Sequence, residues 1–116
     1  YPDPVGNKSN SYISCKVNNI NEVINKLNIQ SIDLIKIDTE GAENDILMTL
    51  QENILKNASW ITGELHGNKD FELLNYLNNL GFSISLNKQI DNRLFMFHAG
   101  KLEVISKLSR RDLKAL

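Results

Sequence analysis

The fold is decided by residues 32–43, which read IDLIKIDTEGAE. Residues 32–37 are almost continuously apolar and rich in β-branched side chains, a pattern typical of a strand buried on both faces of a parallel sheet. The chain then leaves the strand through Asp38-Thr39-Glu40-Gly41, and a helical period begins at Ala42. Gly41 allows a sharp turn and a close approach of the backbone to a ligand. The stretch therefore predicts a strand, a turn that carries acids, and a helix.

On the N-terminal side of this stretch, we predict a short strand over residues 12–17, where β-forming residues alternate loosely with polar ones. Asn21 is expected to cap the next helix, with Val23, Ile24 and Leu27 on one face. Cys15 is expected to be a small core residue.

On the C-terminal side, an amphipathic helix is predicted over residues 44–58, followed by a strand over residues 60–65. A second amphipathic helix follows, and Gly81 is expected to end it in the left-handed conformation. Residues 82–88 and 93–99 alternate and should form a hairpin. The first helix carries an apolar stripe of Ile46, Leu47, Leu50, Ile54 and Leu55, and the second is expected to face Phe71, Leu74, Leu77 and Leu80 inward.

Strands that alternate with helices imply right-handed crossovers and a parallel sheet. The predicted fold is therefore α/β, with a mostly parallel sheet that ends in an antiparallel hairpin at the C-terminus. Ligands bind such open sheets at the carboxyl ends of the strands. The residues just after each strand are consequently the candidates for a functional site.

The composition restricts the class of protein. The chain has 116 residues, of which 41% are hydrophobic and 23% charged, and these values fit one globular domain. A net charge of -1 provides no field to recruit nucleic acid or an anionic membrane. A single cysteine excludes a disulfide framework and favours a reducing compartment, so a cytoplasmic location is expected. No apolar run is long enough to span a bilayer, and no signal peptide is visible.

The first candidate site residues are Asp38 and Glu40. Asp38 ends the central strand, and Glu40, two residues later, can point into the same crevice. The alternative is a capping turn, in which Asp38 or Thr39 caps the helix while Glu40 and Glu43 favour its positive end. The pattern alone does not decide between the two interpretations.

The second pair of candidates is Glu64 and His66, at the end of the next strand. Alternate residues of a strand point to one face, so both side chains can reach the crevice of Asp38 and Glu40. A histidine titrates near neutral pH and suits a general base. The alternative is a structural histidine bonded to a loop. His98, at the end of the hairpin, is interpreted as structural or exposed. The four groups could instead bind a metal, but no HExxH pattern or paired cysteines support that, and no metal is predicted.

Residues 32–43 closely resemble the signature of the FkbM-type methyltransferases, in which a strand reading roughly DLIKID runs into EGAE. The resemblance extends from about residue 14 to about residue 98 and includes the later strand that ends in Glu64 and His66. It implies a Rossmann-like class I methyltransferase sheet, S-adenosylmethionine as cofactor, and a small-molecule or sugar hydroxyl as methyl acceptor. It also implies that Asp38, Glu40 and His66 are catalytic, that Asp38 lies at the cofactor, and that Glu64 and Glu43 bind substrate.

The chain departs from this family in one respect, because the glycine-rich cofactor loop after the first strand is absent. We therefore expect a flexible leader over residues 1–11 and the C-terminal part of a methyltransferase domain over residues 12–116, inactive alone. Two alternatives remain open. One is a non-catalytic interaction module that forms a homodimer through an exposed sheet edge. The other is a metal-dependent hydrolase.

Overall fold

The computed structural model describes residues 11–66, 69–88 and 95–107. Five helices and four strands lie within these ranges. In chain order they are α1 (Ile20–Lys26), β1 (Leu34–Ile37), α2 (Glu43–Thr49), α3 (Glu52–Lys56), β2 (Trp60–Leu65), α4 (Asp70–Asn79), β3 (Phe82–Lys88), β4 (Phe95–Lys101) and α5 (Leu102–Ile105). The predicted loop of the hairpin, the first ten residues of the expected leader and the end of the chain lie outside the described residues.

The described strands form one sheet in the order β1-β2-β4-β3. β1 and β2 are parallel, with Ile37 beside Gly63, whereas β4 runs antiparallel to both β2 and β3. The predicted α/β class and C-terminal hairpin are confirmed, but "mostly parallel" is wrong for the described sheet. The returning strand of the hairpin inserts next to β2, so one of the three pairings is parallel. β1 has no described strand on its outer side.

The strand predicted over residues 12–17 is wrong, because this segment has no regular structure. Tyr12 and Val17 are exposed, and so is Cys15, which is therefore not a core residue. β-forming side chains stabilise a strand only when a neighbouring strand and a buried face are present, and the described structure offers neither here. Helix α1 begins two residues earlier than expected, since Asn19 caps it by accepting a hydrogen bond of 2.8 Å from the backbone N–H of Asn21.

The single helix predicted over residues 44–58 is divided into α2 and α3. Leu50 and Gln51 take extended ψ angles of 138° and 125°, which end α2 and begin α3. The Asn21 amide bridges this break: it donates to the carbonyl of Thr49 and accepts from the backbone N–H of Gln51, both at 2.8 Å. A side chain from another helix thus satisfies the backbone groups that the interruption frees.

The core lies between one sheet face and helices α1 to α4. Its buried members are Ile24, Ile37, Leu47, Leu50, Ile54, Leu55, Ala58, Ile61, Leu65, Leu73, Leu77, Phe82, Phe97 and Ala99. Helix α4 buries Leu73 and Leu77, whereas Phe71 is 87% exposed, so the predicted inward face is wrong at Phe71. Gly81 has φ +95° and confirms the predicted left-handed end. No described helix is both long and apolar enough to cross a membrane.

The opposite sheet face carries polar and aromatic side chains. Leu34 in β1 is 55% exposed and Lys36 is exposed, so β1 is not buried on both faces as predicted. His98 is buried there, with its Nδ1 2.9 Å from the Thr62 hydroxyl, which donates to the carbonyl of Phe97. Burial lowers the pKa of His98, and these contacts confirm its structural interpretation.

Candidate active site

The parallel pairing of β1 and β2 brings the two predicted pairs of site residues together. Ile37 lies beside Gly63, so Asp38 and Glu64 follow at neighbouring positions of the two strands. Parallel strands present their carboxyl ends at the same sheet edge. The two predicted pairs, Asp38 with Glu40 and Glu64 with His66, therefore enter one crevice, as the sequence indicated.

The turn after β1 has an unusual backbone. Glu40 has φ +54° and Gly41 has φ +117°. The left-handed region is costly for a side chain with a Cβ, and only glycine adopts it freely. These two residues reverse the chain between β1 and α2, and they hold Glu40 outward with its side chain 72% exposed.

The Glu43 carboxylate stabilises this turn. It is 4% exposed, and it accepts hydrogen bonds from the backbone N–H groups of Thr39 at 2.9 Å and Gly41 at 3.0 Å. The N-cap of α2 is Ala42, which has no side chain to cap the helix. The alternative in which Asp38 or Thr39 caps this helix is therefore wrong, whereas Glu43 does lie at its positive end as that interpretation expected.

Burial would by itself raise the pKa of Glu43. The N–H groups of Thr39 and of Glu43 itself, the positive charge that His66 can carry, and the N–H group of Gly41 outweigh burial. They hold the pKa of Glu43 below its ordinary value of 4.5. Glu43 is therefore a buried carboxylate in its ionised form at neutral pH.

His66 lies at the centre of the acids. Its Nδ1 is 3.0 Å from Glu43 Oε1. Its Nε2 is 3.3 Å from Glu64 Oε2 and 3.7 Å from Glu40 Oε2. The imidazole is 11% exposed, and neither nitrogen is aligned for a hydrogen bond with a described residue. These contacts are therefore electrostatic, and they fix the ring between three carboxylates.

The four predicted residues converge on one point. Ligand atoms of Asp38, Glu40, Glu64 and His66 all lie within 4.8 Å of one another. Asp38 and Glu40 are exposed, whereas Glu64 and His66 are half-buried. Glu40 and Glu64 thus flank Nε2, while Glu43 lies beside Nδ1.

A cavity of about 310 Å³ adjoins this cluster on the side of α2 and α4. Glu43 and His66 line it, whereas Asp38, Glu40 and Glu64 do not. Its other walls come from the first turns of the two helices and the residues before them: Gly41, Asn44, Asp45, Lys69, Asp70 and Leu73. The cavity is at the small end of the range for ligand pockets, so it suits a small molecule or part of one.

Sequence reasoning missed how Glu43 acts. We expected it to bind substrate, and its contacts instead favour the positioning of His66 and of the turn; binding of substrate by Glu43 stays a prediction. One signal could have indicated this role. An acid that follows a glycine turn by two residues and begins a helix can reach back to the N–H groups of that turn.

The chain matches a family of known proteins. Residues 4–84 match the model of the methyltransferase FkbM domain. A relative is the AMB antimetabolite synthetase AmbE of Pseudomonas aeruginosa strain PAO1, 36% identical over 56 residues, which are 48% of this chain. The matched part spans 3% of the length of that synthetase. No solved structure gives a significant match. The family match covers more than half of the chain, and the chain belongs to the FkbM methyltransferase family.

Proposed function

We propose that this chain is part of an S-adenosylmethionine-dependent O-methyltransferase that acts on a hydroxyl group of a small molecule or sugar. The observation that carries the proposal is the convergence of Asp38, Glu40, Glu64 and His66 at the carboxyl ends of β1 and β2, in a chain of the FkbM methyltransferase family. Convergent titratable groups in a crevice are typical of active sites.

One carboxylate of this site is suited to the charges of the cofactor. S-adenosylmethionine, when bound, supplies a methyl group on a positively charged sulfur, and it carries an ammonium group as well. Asp38 would hold these positive charges, since its carboxylate is exposed at the end of β1, whose outer side has no neighbour among the described strands. The sequence has no glycine-rich loop after a strand. We propose that protein outside these 116 residues supplies the remaining contacts in a Rossmann-like arrangement, and that the chain alone is inactive.

His66 is suited to receive the proton of the acceptor. Glu43 lies at Nδ1 and favours a proton there, which leaves the lone pair of Nε2 toward the crevice. When the acceptor oxygen takes the methyl group that S-adenosylmethionine would supply, its hydroxyl proton would pass to Nε2 of His66. Glu40 and Glu64 flank Nε2 and would stabilise the resulting imidazolium. Glu64 would also hold a second hydroxyl of the acceptor.

A second function is favoured by the outer edge of β1. No described strand pairs with it, and unpaired edges invite association. The chain could instead be a non-catalytic module that forms a homodimer through this edge. Size measurement by light scattering separates the hypotheses: a discrete dimer that binds no methyl donor favours the module.

The test of catalysis is transfer of a labelled methyl group from S-adenosylmethionine to a panel of sugars, polyols and hydroxy acids. The protein is used at the full length in which its organism makes it. We expect Asp38→Asn to lower turnover at least about a hundredfold while the circular dichroism spectrum is unchanged, since it removes one charge at the reacting atoms. Asp33→Asn, an exposed acid just before β1, is the matched control and should keep full activity. Full activity in Asp38→Asn would remove Asp38 from the site.

A further inference from the structure

We propose that the four converging side chains bind a divalent cation, of the class of Mn²⁺ or Mg²⁺, that receives the hydroxyl of the methyl acceptor. The ligands would be carboxylate oxygens of Asp38, Glu40 and Glu64 and the Nε2 atom of His66. The binding of the ion follows from these residues alone. Its role toward a methyl acceptor rests on the proposed function.

The spacing of the ligand atoms fits such an ion. They lie within 4.8 Å of one another. Opposite ligands of an octahedral ion with bonds of about 2.1 Å are separated by about 4.2 Å, so small side-chain movements suffice. Asp38 and Glu40 are exposed and can make these movements. An octahedral ion would also keep positions for water or for an acceptor oxygen.

The environment of His66 is a second observation. Both ring nitrogens are shielded from solvent, and neither has a hydrogen-bond partner among the described residues. The nearest acid oxygens to Nε2 lie at 3.3 and 3.7 Å, beyond the 2.7–2.9 Å of charge-assisted hydrogen bonds. If Nε2 carries a lone pair, that lone pair and the carboxylates of Glu40 and Glu64 are three hydrogen-bond acceptors that face one another without a donor. A cation between them satisfies all three groups.

Glu43 completes the arrangement from outside the ligand set. It is 4% exposed, and its Oε1 lies 3.0 Å from Nδ1, the nitrogen that would not contact the ion. Histidines that bind metals commonly have their other nitrogen beside a carboxylate, which fixes the tautomer and orients the ring. The contact therefore presents Nε2 as the ligand atom.

The donor set also selects the kind of ion. Three carboxylates and one imidazole are hard or borderline ligands, and carboxylates suit Mg²⁺ and Mn²⁺ whereas soft ions prefer thiolates. The free thiol in the described residues, Cys15, is exposed in the segment before α1 and outside this cluster. With the ion in place, Nε2 would hold the ion and not the acceptor proton. The ion would lower the pKa of the bound hydroxyl, and its proton would leave to water on the exposed side of the cluster.

The experiment is a titration of the full-length protein with Mn²⁺. Binding is measured as the decrease of the free Mn²⁺ signal in electron paramagnetic resonance. We expect saturable binding of one ion per chain and a nitrogen hyperfine coupling from the imidazole in the pulsed spectrum. Glu40→Gln should weaken binding at least about tenfold, and because Glu40 is 72% exposed this variant should fold normally. His66→Asn should remove the nitrogen coupling. Glu72→Gln, an exposed acid in the first turn of α4, is the control.

Absence of saturable Mn²⁺ binding would overturn the proposal, and so would binding that Glu40→Gln leaves unchanged or a bound spectrum without nitrogen coupling. The titration contains no methyl donor, so its outcome is separate from that of the proposed function. Binding of S-adenosylhomocysteine without binding of Mn²⁺ would remove the cation and keep the methyltransferase. Binding of Mn²⁺ without any binding of S-adenosylhomocysteine would keep the cation site and remove the methyltransferase.

Discussion

Glu43 Oε1 lies 3.0 Å from Nδ1 of His66, and this contact joins the turn after β1 to the end of β2. The same carboxylate accepts hydrogen bonds from the N–H groups of Thr39 and Gly41. One buried side chain therefore fixes the positive-φ turn that carries Glu40 and also the ring that Glu40 and Glu64 flank. The geometry of the candidate site depends on it.

The first prediction concerns Glu43→Gln. A glutamine has one acceptor oxygen, so its NH₂ group would face a backbone N–H at Thr39 or Gly41. We expect the free energy of unfolding to fall by about 1–3 kcal/mol, the cost of a buried donor left without a partner. Urea denaturation measures it, and Glu72→Gln, an exposed acid in the first turn of α4, is the matched control. Equal stability of the two variants would show that the Glu43 carboxylate does not support the turn.

The second prediction concerns the closeness of β1 and β2. A Cβ at Gly63 would lie 2.6 Å from both Cγ2 and the carbonyl oxygen of Ile37. The backbone oxygen belongs to the paired strand and cannot move alone. Gly63→Ala should therefore lower the free energy of unfolding by at least about 1–3 kcal/mol, as overpacked core positions do. In thermal denaturation, Ser85→Ala at an exposed position of β3 should change little. A Gly63→Ala protein as stable as wild type would argue against this strand spacing.

The third prediction tests which face of α4 is buried. Leu73 is 1% exposed and Phe71 is 87% exposed, although the sequence pattern favoured Phe71 as an inward residue. Leu73→Ala should cost about 2–5 kcal/mol of unfolding free energy. Phe71→Ala removes a larger side chain and should cost less than about 0.5 kcal/mol, because a surface position is replaced. The reverse order of the two losses in chemical denaturation would contradict the observed face.

The fourth prediction concerns pH. Burial lowers the pKa of His98 below its ordinary value of 6.5, so the unfolded chain binds this proton more tightly than the folded one. The stability that the neutral His98 provides is fully present above pH 6.5 and is lost as the pH falls through the lower folded pKa. Denaturation between pH 7.5 and 5 should show this loss in wild type, and His98→Gln should reduce the slope. The same slope in both proteins would mean that other groups cause the acid sensitivity.

Much of the fold was predictable where the pattern is local. Strand β2 occupies the predicted residues 60–65, and the hairpin of β3 and β4 and the positive φ of Gly81 follow from alternation and from a glycine at a helix end. The crevice of Asp38, Glu40, Glu64 and His66 was predictable for the same reason. Two acid-bearing strand ends in a β-α-β unit must meet, because a parallel pairing places them at one edge.

What the sequence could not show depends on contacts between distant residues. The break at Leu50 is stabilised by Asn21, which lies 28 residues before Thr49 and 30 before Gln51, so no local pattern contains it. The antiparallel insertion of β4 beside β2 depends on where the hairpin docks and not on its alternation. The segment of residues 12–17 has the composition of a strand but no described neighbour. Glu43 was visible as an acid near a helix start, yet its contact with His66 requires the folded sheet.

The most direct test of the central claim is a calorimetric titration of the full-length protein with S-adenosylhomocysteine, in wild type and in Asp38→Ala. The account predicts saturable binding near one molecule per chain and a loss of at least about tenfold in affinity in the variant, since Asp38 would hold the positive end of the cofactor. Asp33→Ala should bind as wild type does. No binding by the full-length wild type, or equal binding by Asp38→Ala, would contradict a methyl-transfer site at the carboxyl ends of β1 and β2.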